Sequence, residues 1–311
     1  MSELLHVSSN PHIRSKVTTS GIMFWVIVAL LPATGFGIFH FGLDALVLIV
    51  VTVASAIIFE TLFNLINRKK NTIDDFSAVV TGLLLALNLP ATAPWWIGVI
   101  GAFFAIVVVK MLFGGLGQNF MNPALGARCF LLISFSSIMT NFSIDGVSSA
   151  TPLQILKEGG TVNISEMARG FIPGTIGETS TVAILAGACI LILFNIIDLI
   201  IPAAYLLTFT LLLILFGGHG MDFSFICAHL AGGGLMLGAF FMATDYGTRP
   251  ITKSGQLIYG IILGLLTFVL RIYGPSAEGV SYSIIIGNLL VPLIDKFTRP
   301  TFFGKAGVKN E

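Results

Sequence analysis

Long apolar runs separated by short polar joints set the layout of this chain. They lie near 21–41, 43–66, 75–90, 95–115, 120–139, 179–198, 200–217, 224–244, 255–273 and 280–297. Most approach the ~20 residues that a helix needs to cross a bilayer, so ten membrane helices are predicted. The join at 194–203 is tight. The third run is short and is interrupted by Asn88-Leu89-Pro90, and the eighth carries Gly232-Gly233-Gly234 within an otherwise apolar stretch.

A polar stretch, 140–178, leaves five runs on each side. An odd number of spans per half predicts repeats of opposite orientation, with broken helices meeting near the midplane. The third and eighth runs correspond in order, and both open near an Asp-Phe-Ser tripeptide, Asp75-Phe76-Ser77 and Asp222-Phe223-Ser224. The expected architecture is an all-α integral membrane protein with ten transmembrane helices in two inverted five-helix repeats. Its parts are an amino-terminal segment 1–20, a first repeat 21–139, a loop 140–178, a second repeat 179–297 and a tail 298–311.

Composition agrees with that class: 55% of residues are apolar and 10% charged, against about a quarter charged in soluble domains. The net charge of +1 says little, but the placement of charge says more. Ten spans put both termini on one face. That face holds Arg14, Lys16, Arg68, Lys69, Lys70, Lys110, Arg249, Lys253, Lys296, Arg299, Lys305 and Lys309, against Lys157, Arg169 and Arg271 opposite. Lys and Arg collect on the cytoplasmic side. Both termini are therefore predicted to be cytoplasmic, in the cell (cytoplasmic) membrane, with the 140–178 loop outside. No small-residue cleavage site follows the first apolar run, so that run is read as a retained helix. Cys129, Cys189 and Cys227 lack paired spacing and read as buried thiols. His219 and His229 have no second ligand at metal spacing and read as isolated polar partners. No metal site and no nucleic-acid surface are expected.

Glu60 is the clearest acid within a span, and Lys110 and Arg128 are the intramembrane cations. Such groups face the bundle interior or a cavity. A structural pair, Glu60–Lys110 or Glu60–Arg128, is favoured over an ion-pathway role for Glu60. Asp245 ends the eighth run, where a carboxylate meets the negative end of the helix dipole. Either Arg249 pairs with it, or it stands near a cofactor or a cation path. In the loop, Thr151 followed by Pro152 predicts a cap on a short helix from Pro152 to Lys157. Thr179 and Ser180 open the sixth run, where a helix amino terminus offers N–H groups to an anion. The glycines from 114 to 117 allow close backbone approach, and Asn119 and Asn122 supply amide groups.

Four segments carry a resemblance. Asp145-Gly146-Val147-Ser148-Ser149-Ala150-Thr151 resembles the flavinylation signal Asp-x-x-Ser/Thr-Gly/Ser-Ala-Thr of redox-driven ion pumps. Gly114-Gly115-Leu116-Gly117-Gln118-Asn119-Phe120-Met121-Asn122-Pro123-Ala124, Gly177-Glu178-Thr179-Ser180 and Phe240-Phe241-Met242-Ala243-Thr244-Asp245 resemble segments of the RnfD/NqrB family. That family holds the D subunit of the Rnf complex and the B subunit of the sodium-pumping NADH:quinone reductase. The short amino-terminal segment favours the Rnf member. Ser149 stands where glycine is common.

The resemblance implies covalent FMN, joined through its phosphate to Thr151 in the setting of Ser148, Ser149, Ala150 and Pro152. It also implies a non-covalent riboflavin whose contacts no motif marks. Cofactor contacts are expected at Glu178, Thr179, Ser180, Asn119, Asn122, Arg128 and Asp245. The implied partners are a second covalent-FMN membrane subunit, two membrane subunits sharing an iron–sulfur centre, soluble iron–sulfur and NAD-reactive subunits, and a flavin transferase for maturation. The implied function is electron transfer within a ferredoxin:NAD⁺ oxidoreductase complex, coupled to Na⁺ or H⁺ translocation, with no catalytic residue in this chain. The architecture alone also suits a urea-transporter-like solute channel without a redox cofactor.

Overall fold

The computed structural model describes residues 17–69, 72–144, 147–148, 150–274 and 279–300. Every predicted apolar run contains helix. In the first half these are α1 (Thr19–Phe41), α2 (Leu43–Ile66), α3 (Ser77–Leu87), α4 (Trp95–Met111), α5 (Pro123–Ser134) and α6 (Ser136–Met139). The middle holds a two-residue antiparallel ladder, β1 (Ser143–Ile144) with β2 (Val147–Ser148), then α7 (Pro152–Lys157) and α8 (Ile164–Arg169). The second half comprises α9 (Thr181–Leu193), α10 (Ile200–Phe216), α11 (Phe223–Ala231), α12 (Leu235–Met242), α13 (Lys253–Ile272) and α14 (Val280–Thr298).

Four helices, α1, α2, α13 and α14, are long and apolar enough to cross a membrane alone. A fifth crossing arises if α11 and α12, bent by 60° at the Gly232–Gly234 break, are taken as one span. Helices α3, α4, α5, α9 and α10 are apolar but shorter. The chain is thus a mainly helical, multi-pass membrane protein. Leu65, Leu193, Leu207, Leu215 and Phe297 point outward, as suits helices that present apolar side chains to lipid.

Local sequence explains the interruptions. Helix α3 stops at Leu87 because Pro90 cannot continue it and Asn88 turns back, its Nδ2 donating to Leu84 O at 2.6 Å. Helix α4 widens into a π-helix from Phe104 to Met111. Asn122 caps α5, its Oδ1 accepting from the N–H groups of Ala124 and Leu125 at 3.1 and 3.3 Å.

Small residues set the helix spacing. Helix α2 packs on α3 and α4, and α10 packs on α13. A Cβ at Gly98 of α4 would stand 2.3 Å from Thr52 Oγ1, and one at Gly260 of α13 would stand 2.6 Å from Ala204 Cβ. Without a hydrophobic drive between helices in lipid, such close backbone contact supplies the association. The halves meet through α1 against α9 and α5 against α14. Of the three thiols expected to be buried, Cys129 is, Cys227 is half-buried, and Cys189 is exposed on the outer surface of α9.

Candidate functional site

The sequence-derived site residues fall into two groups. Ser77 and Asn88 bracket α3 and belong to different groups, so roughly 16 Å of helix separates them.

The first group surrounds Thr151. Pro152 starts α7, and Thr151 occupies the N-cap position in extended backbone, φ −65° and ψ 151°, yet its side chain makes no capping bond. The predicted helix is present with its predicted bounds, and the threonine hydroxyl is not committed to it. Thr151 lies on a cleft of about 310 Å³, counting space open to solvent. Pro152 and Leu153 line it from α7, Gly174, Glu178 and Thr179 from the segment before α9, and Gly232 and Gly233 from the break between α11 and α12. Ala150 is half-buried and Pro152 buried. Ser149 lies outside the described residues, and so does the side chain of Ser148.

Behind the cleft sits a buried polar cluster. Arg128 Nη1 donates to Glu178 Oε1 at 3.2 Å and to Asn88 Oδ1 at 2.7 Å. The partner offered to Arg128 by the sequence, Glu60, is wrong for a packing reason: α5 packs on α3 and α4, whereas Glu60 faces α4 from α2. Gly234 has φ +65°, and a Cβ there would stand 2.4 Å from Glu178 Oε1, so the break needs glycine to admit the carboxylate. Ser180 is an ordinary cap of α9, its Oγ accepting from Ala183 N–H at 3.3 Å. The hydroxyl oxygens of Thr175 and Thr179 are buried without a hydrogen-bond partner, which is costly unless something else supplies one.

Sequence reasoning left out Gly232 and Gly233 as a wall of this cleft, and Arg271 behind them. Arg271 is 2% exposed. Its Nη1 donates to His229 O at 2.5 Å, and its Nη2 to Gly232 O at 3.2 Å and Gly233 O at 3.1 Å. The broken helix exposes carbonyls that lipid cannot satisfy, and Arg271 satisfies them. The triple glycine and an arginine near the end of an apolar run were the available signals.

The second group lines a cavity of about 680 Å³, counting space open to solvent, at the opposite ends of these helices, including Met23, Ser77, Lys110, Asn119, Asn122, Thr244 and Asp245. Asn122 spends its Oδ1 on the α5 cap, and its Nδ2 reaches Met242 O at 3.5 Å. Asn119 is buried, and its Oδ1 has no partner. A larger, more open cavity shares Asn119 and continues past Asn288 to Asp295, Lys296 and Arg299.

Glu60 pairs with Lys110, as one of the two expected pairs had it: Lys110 Nζ donates to Glu60 Oε2 at 2.6 Å and to Ser77 Oγ at 2.5 Å. The Thr72 hydroxyl donates to Glu60 Oε1 at 2.5 Å. Asp245 is half-buried, and its carboxylate accepts from Gly247 N–H at 3.3 Å and the Thr248 hydroxyl at 3.4 Å. Arg249 does not pair with Asp245. It stacks over the Tyr246 ring at 4.3 Å, and no ion pair joins the two among the described residues.

The model of the NQR2, RnfD, RnfE family matches residues 6–304, which takes in both groups. The chain is 47% identical to the D subunit of the Na⁺-translocating ferredoxin:NAD⁺ oxidoreductase complex of Acetobacterium woodii, over 100% of this chain and 99% of that one. It is 41% identical to the D subunit of the proton-translocating ferredoxin:NAD⁺ oxidoreductase complex of Clostridium ljungdahlii, over 96% of each. It is 36% identical to the D subunit of the ion-translocating oxidoreductase complex of Vibrio cholerae, over 96% of this chain and 99% of the relative. With a family match along nearly its whole length and relatives this similar, the chain belongs to the NQR2, RnfD, RnfE family.

Proposed function

We propose that this protein is the electron-transferring D subunit of an Rnf-type ferredoxin:NAD⁺ oxidoreductase complex that couples electron flow to Na⁺ or H⁺ translocation, and that it carries FMN on Thr151. The observation that carries the reading is the Thr151 hydroxyl: it stands at a helix start without capping it, on a cleft shared with Glu178 and Thr179. The residues fit the group. The unpartnered Thr179 hydroxyl offers a hydrogen-bond donor and acceptor to a ring edge or ribityl chain. Glu178 is held in place by Arg128. Threonine is a poor nucleophile unaided, so a flavin transferase makes the phosphoester, and the loop must be open to that enzyme. A bound flavin supplies reversible electron exchange. The chain's own work is to fix its position and set the polarity around it.

The second cavity suits a non-covalent riboflavin. Its walls are largely apolar, and Asn119 offers an unsatisfied acceptor at the junction with the more open chamber. Of the two acids considered for a cation path, Glu60 is spent on Lys110, so Asp245 is the better candidate. The relatives include one sodium-translocating and one proton-translocating complex. The other subunits implied by the family resemblance are the proposed partners.

The ten helical runs are read as ten spans in two inverted repeats, 21–139 and 179–297. The support is local and paired. Asp75 accepts from Ser77 N–H at 2.8 Å where α3 begins, and Asp222 accepts from Ser224 N–H at 2.9 Å where α11 begins. Helices α2 and α4 pack together as α10 and α13 do, and α1–α9 and α5–α14 join equivalent helices of the two halves. With both termini cytoplasmic, Thr151 faces outward. Mass spectrometry of the Thr151 peptide from cells that hold the transferase tests the central assignment. The expected finding is an FMN adduct and a protein band that fluoresces after denaturation, both abolished by Thr151→Ala. An unmodified Thr151 in the active complex would reject it.

A further inference from the structure

Toward the carboxyl-terminal end of α7 from the Thr151 cleft lies a second pocket of about 550 Å³, counting open space. Lys157, His219, Phe225, His229 and Arg271 line it, and Leu153 is shared between the two. Two cationic side chains and two imidazoles face this space, and no carboxylate is among its lining residues.

The basic groups are held in place. His219 stacks on the Phe225 ring at 4.2 Å, and His229 meets the same ring at 4.4 Å. The Arg271 guanidinium is pinned on the carbonyls of His229, Gly232 and Gly233, so its charge cannot swing away from the wall. Lys157 donates to Gly274 O, tying α7 to the end of α13, and an ammonium has further N–H donors. His229 is 5% exposed, and its Nδ1 has no hydrogen-bond partner. That orphan needs a partner which protein atoms do not supply.

The surroundings identify the partner's other half. Gly217 and Ile272, also in the lining, are chain neighbours of Phe216 and Tyr273. Both aromatic rings pack near Phe268, at 6.4 and 6.0 Å, and both are exposed, 60% and 69%. A fixed basic pocket beside exposed aromatic rings at a helix end matches an amphipathic ligand with an anionic head.

We propose that this pocket binds the phosphate of an anionic phospholipid in the leaflet on the Thr151 side, with acyl chains lying along Phe216 and Tyr273. Lys157 and the imidazoles donate to the phosphate oxygens, and Arg271 supplies fixed positive charge. The bound headgroup bridges α7, α11 and α13, and so steadies the helix that begins at Thr151. This inference does not depend on what Thr151 carries.

The test uses the delipidated full-length chain in non-ionic detergent, with native mass spectrometry and thermal unfolding as readouts. The expected result is one retained phosphatidylglycerol that raises the unfolding temperature. Phosphatidylcholine with the same chains and inorganic phosphate should give little of either effect. Lys157→Gln should weaken phosphatidylglycerol binding about fivefold, and Lys157→Gln with His219→Gln should weaken it further. Neither change touches the Arg271 support of the break, so both variants should fold. Equal binding by phosphatidylcholine, equal stabilisation by inorganic phosphate, or unchanged affinity in the double variant would each overturn the proposal.

Discussion

Lys110 and Arg271 are buried basic residues, one in each half: Lys110 lies within the π-helical part of α4, and Arg271 sits beside the broken α11. Lys110 reaches a carboxylate, Glu60, with Ser77 and Thr72 completing the set. Arg271 reaches backbone carbonyls of the broken α11. In the first arrangement two side-chain charges cancel, so an apolar pair could replace both. In the second the arginine completes the hydrogen bonding of the main chain, and no apolar residue can do that. The fork of a guanidinium suits several carbonyls at once, where an ammonium would serve as a point charge.

The largest effect should come from Arg271→Met. It strands three carbonyl contacts at ~1–3 kcal/mol each, so the chain should fail to accumulate in membranes or should unfold far below the parent. Arg271→Lys should recover only part of that loss, and full recovery would mean that a point charge serves these carbonyls as well as a guanidinium fork. Glu60→Gln comes next, because it leaves Lys110 buried without its counter-charge at a cost of ~3–5 kcal/mol. The double change Glu60→Gln with Lys110→Met should be markedly more stable than Glu60→Gln alone. A double-mutant cycle by denaturant titration measures that coupling, and additive losses would mean the pair is not a unit. Gly234→Ala should cost a further ~1–2 kcal/mol, since it forces a left-handed alanine against Glu178. It should also disturb the Thr151 cleft, visible as lower flavin content per chain. Thr151→Ala should be the mildest for stability, within ~0.5 kcal/mol, because no capping bond is lost. It should nonetheless remove all covalent flavin fluorescence.

The helices were legible because lipid demands long apolar runs, and the breaks were legible from Pro90 and from the glycines at 232–234. The π-helix in α4 and the division of the fifth run at Phe135 were not. Phe135 adopts φ −131° and ψ 46° between two serines, with no proline or glycine to announce it. For the Thr151 cleft, short motifs marked Thr151, Glu178 and Thr179 separately. That they share one cleft depends on the packing of α7, α9 and the α11 break, which no local periodicity encodes. The two cations of the first half show the same limit. Both stood at suitable depth for Glu60, and the choice of Lys110 was made by which helix lies against α2. Asn119 and Asn122 looked equivalent, yet one caps a helix and the other is left for a cavity.

The widened turn of α4 bears on how this protein can change length over generations. Leu112 N–H bonds to Val107 O at 3.1 Å and Gly115 N–H to Lys110 O at 3.0 Å, each reaching back five residues. Each residue of a helix advances the facing direction by about 100°. A turn that reaches back five residues holds one more than an ordinary turn, so losing one residue between Phe104 and Val109 would restore the ordinary turn and leave the ammonium facing Glu60. A loss in the regular turns of α2 would instead swing the acid away from it, so a change of length in descent should be tolerated in the wide turn and excluded beside it.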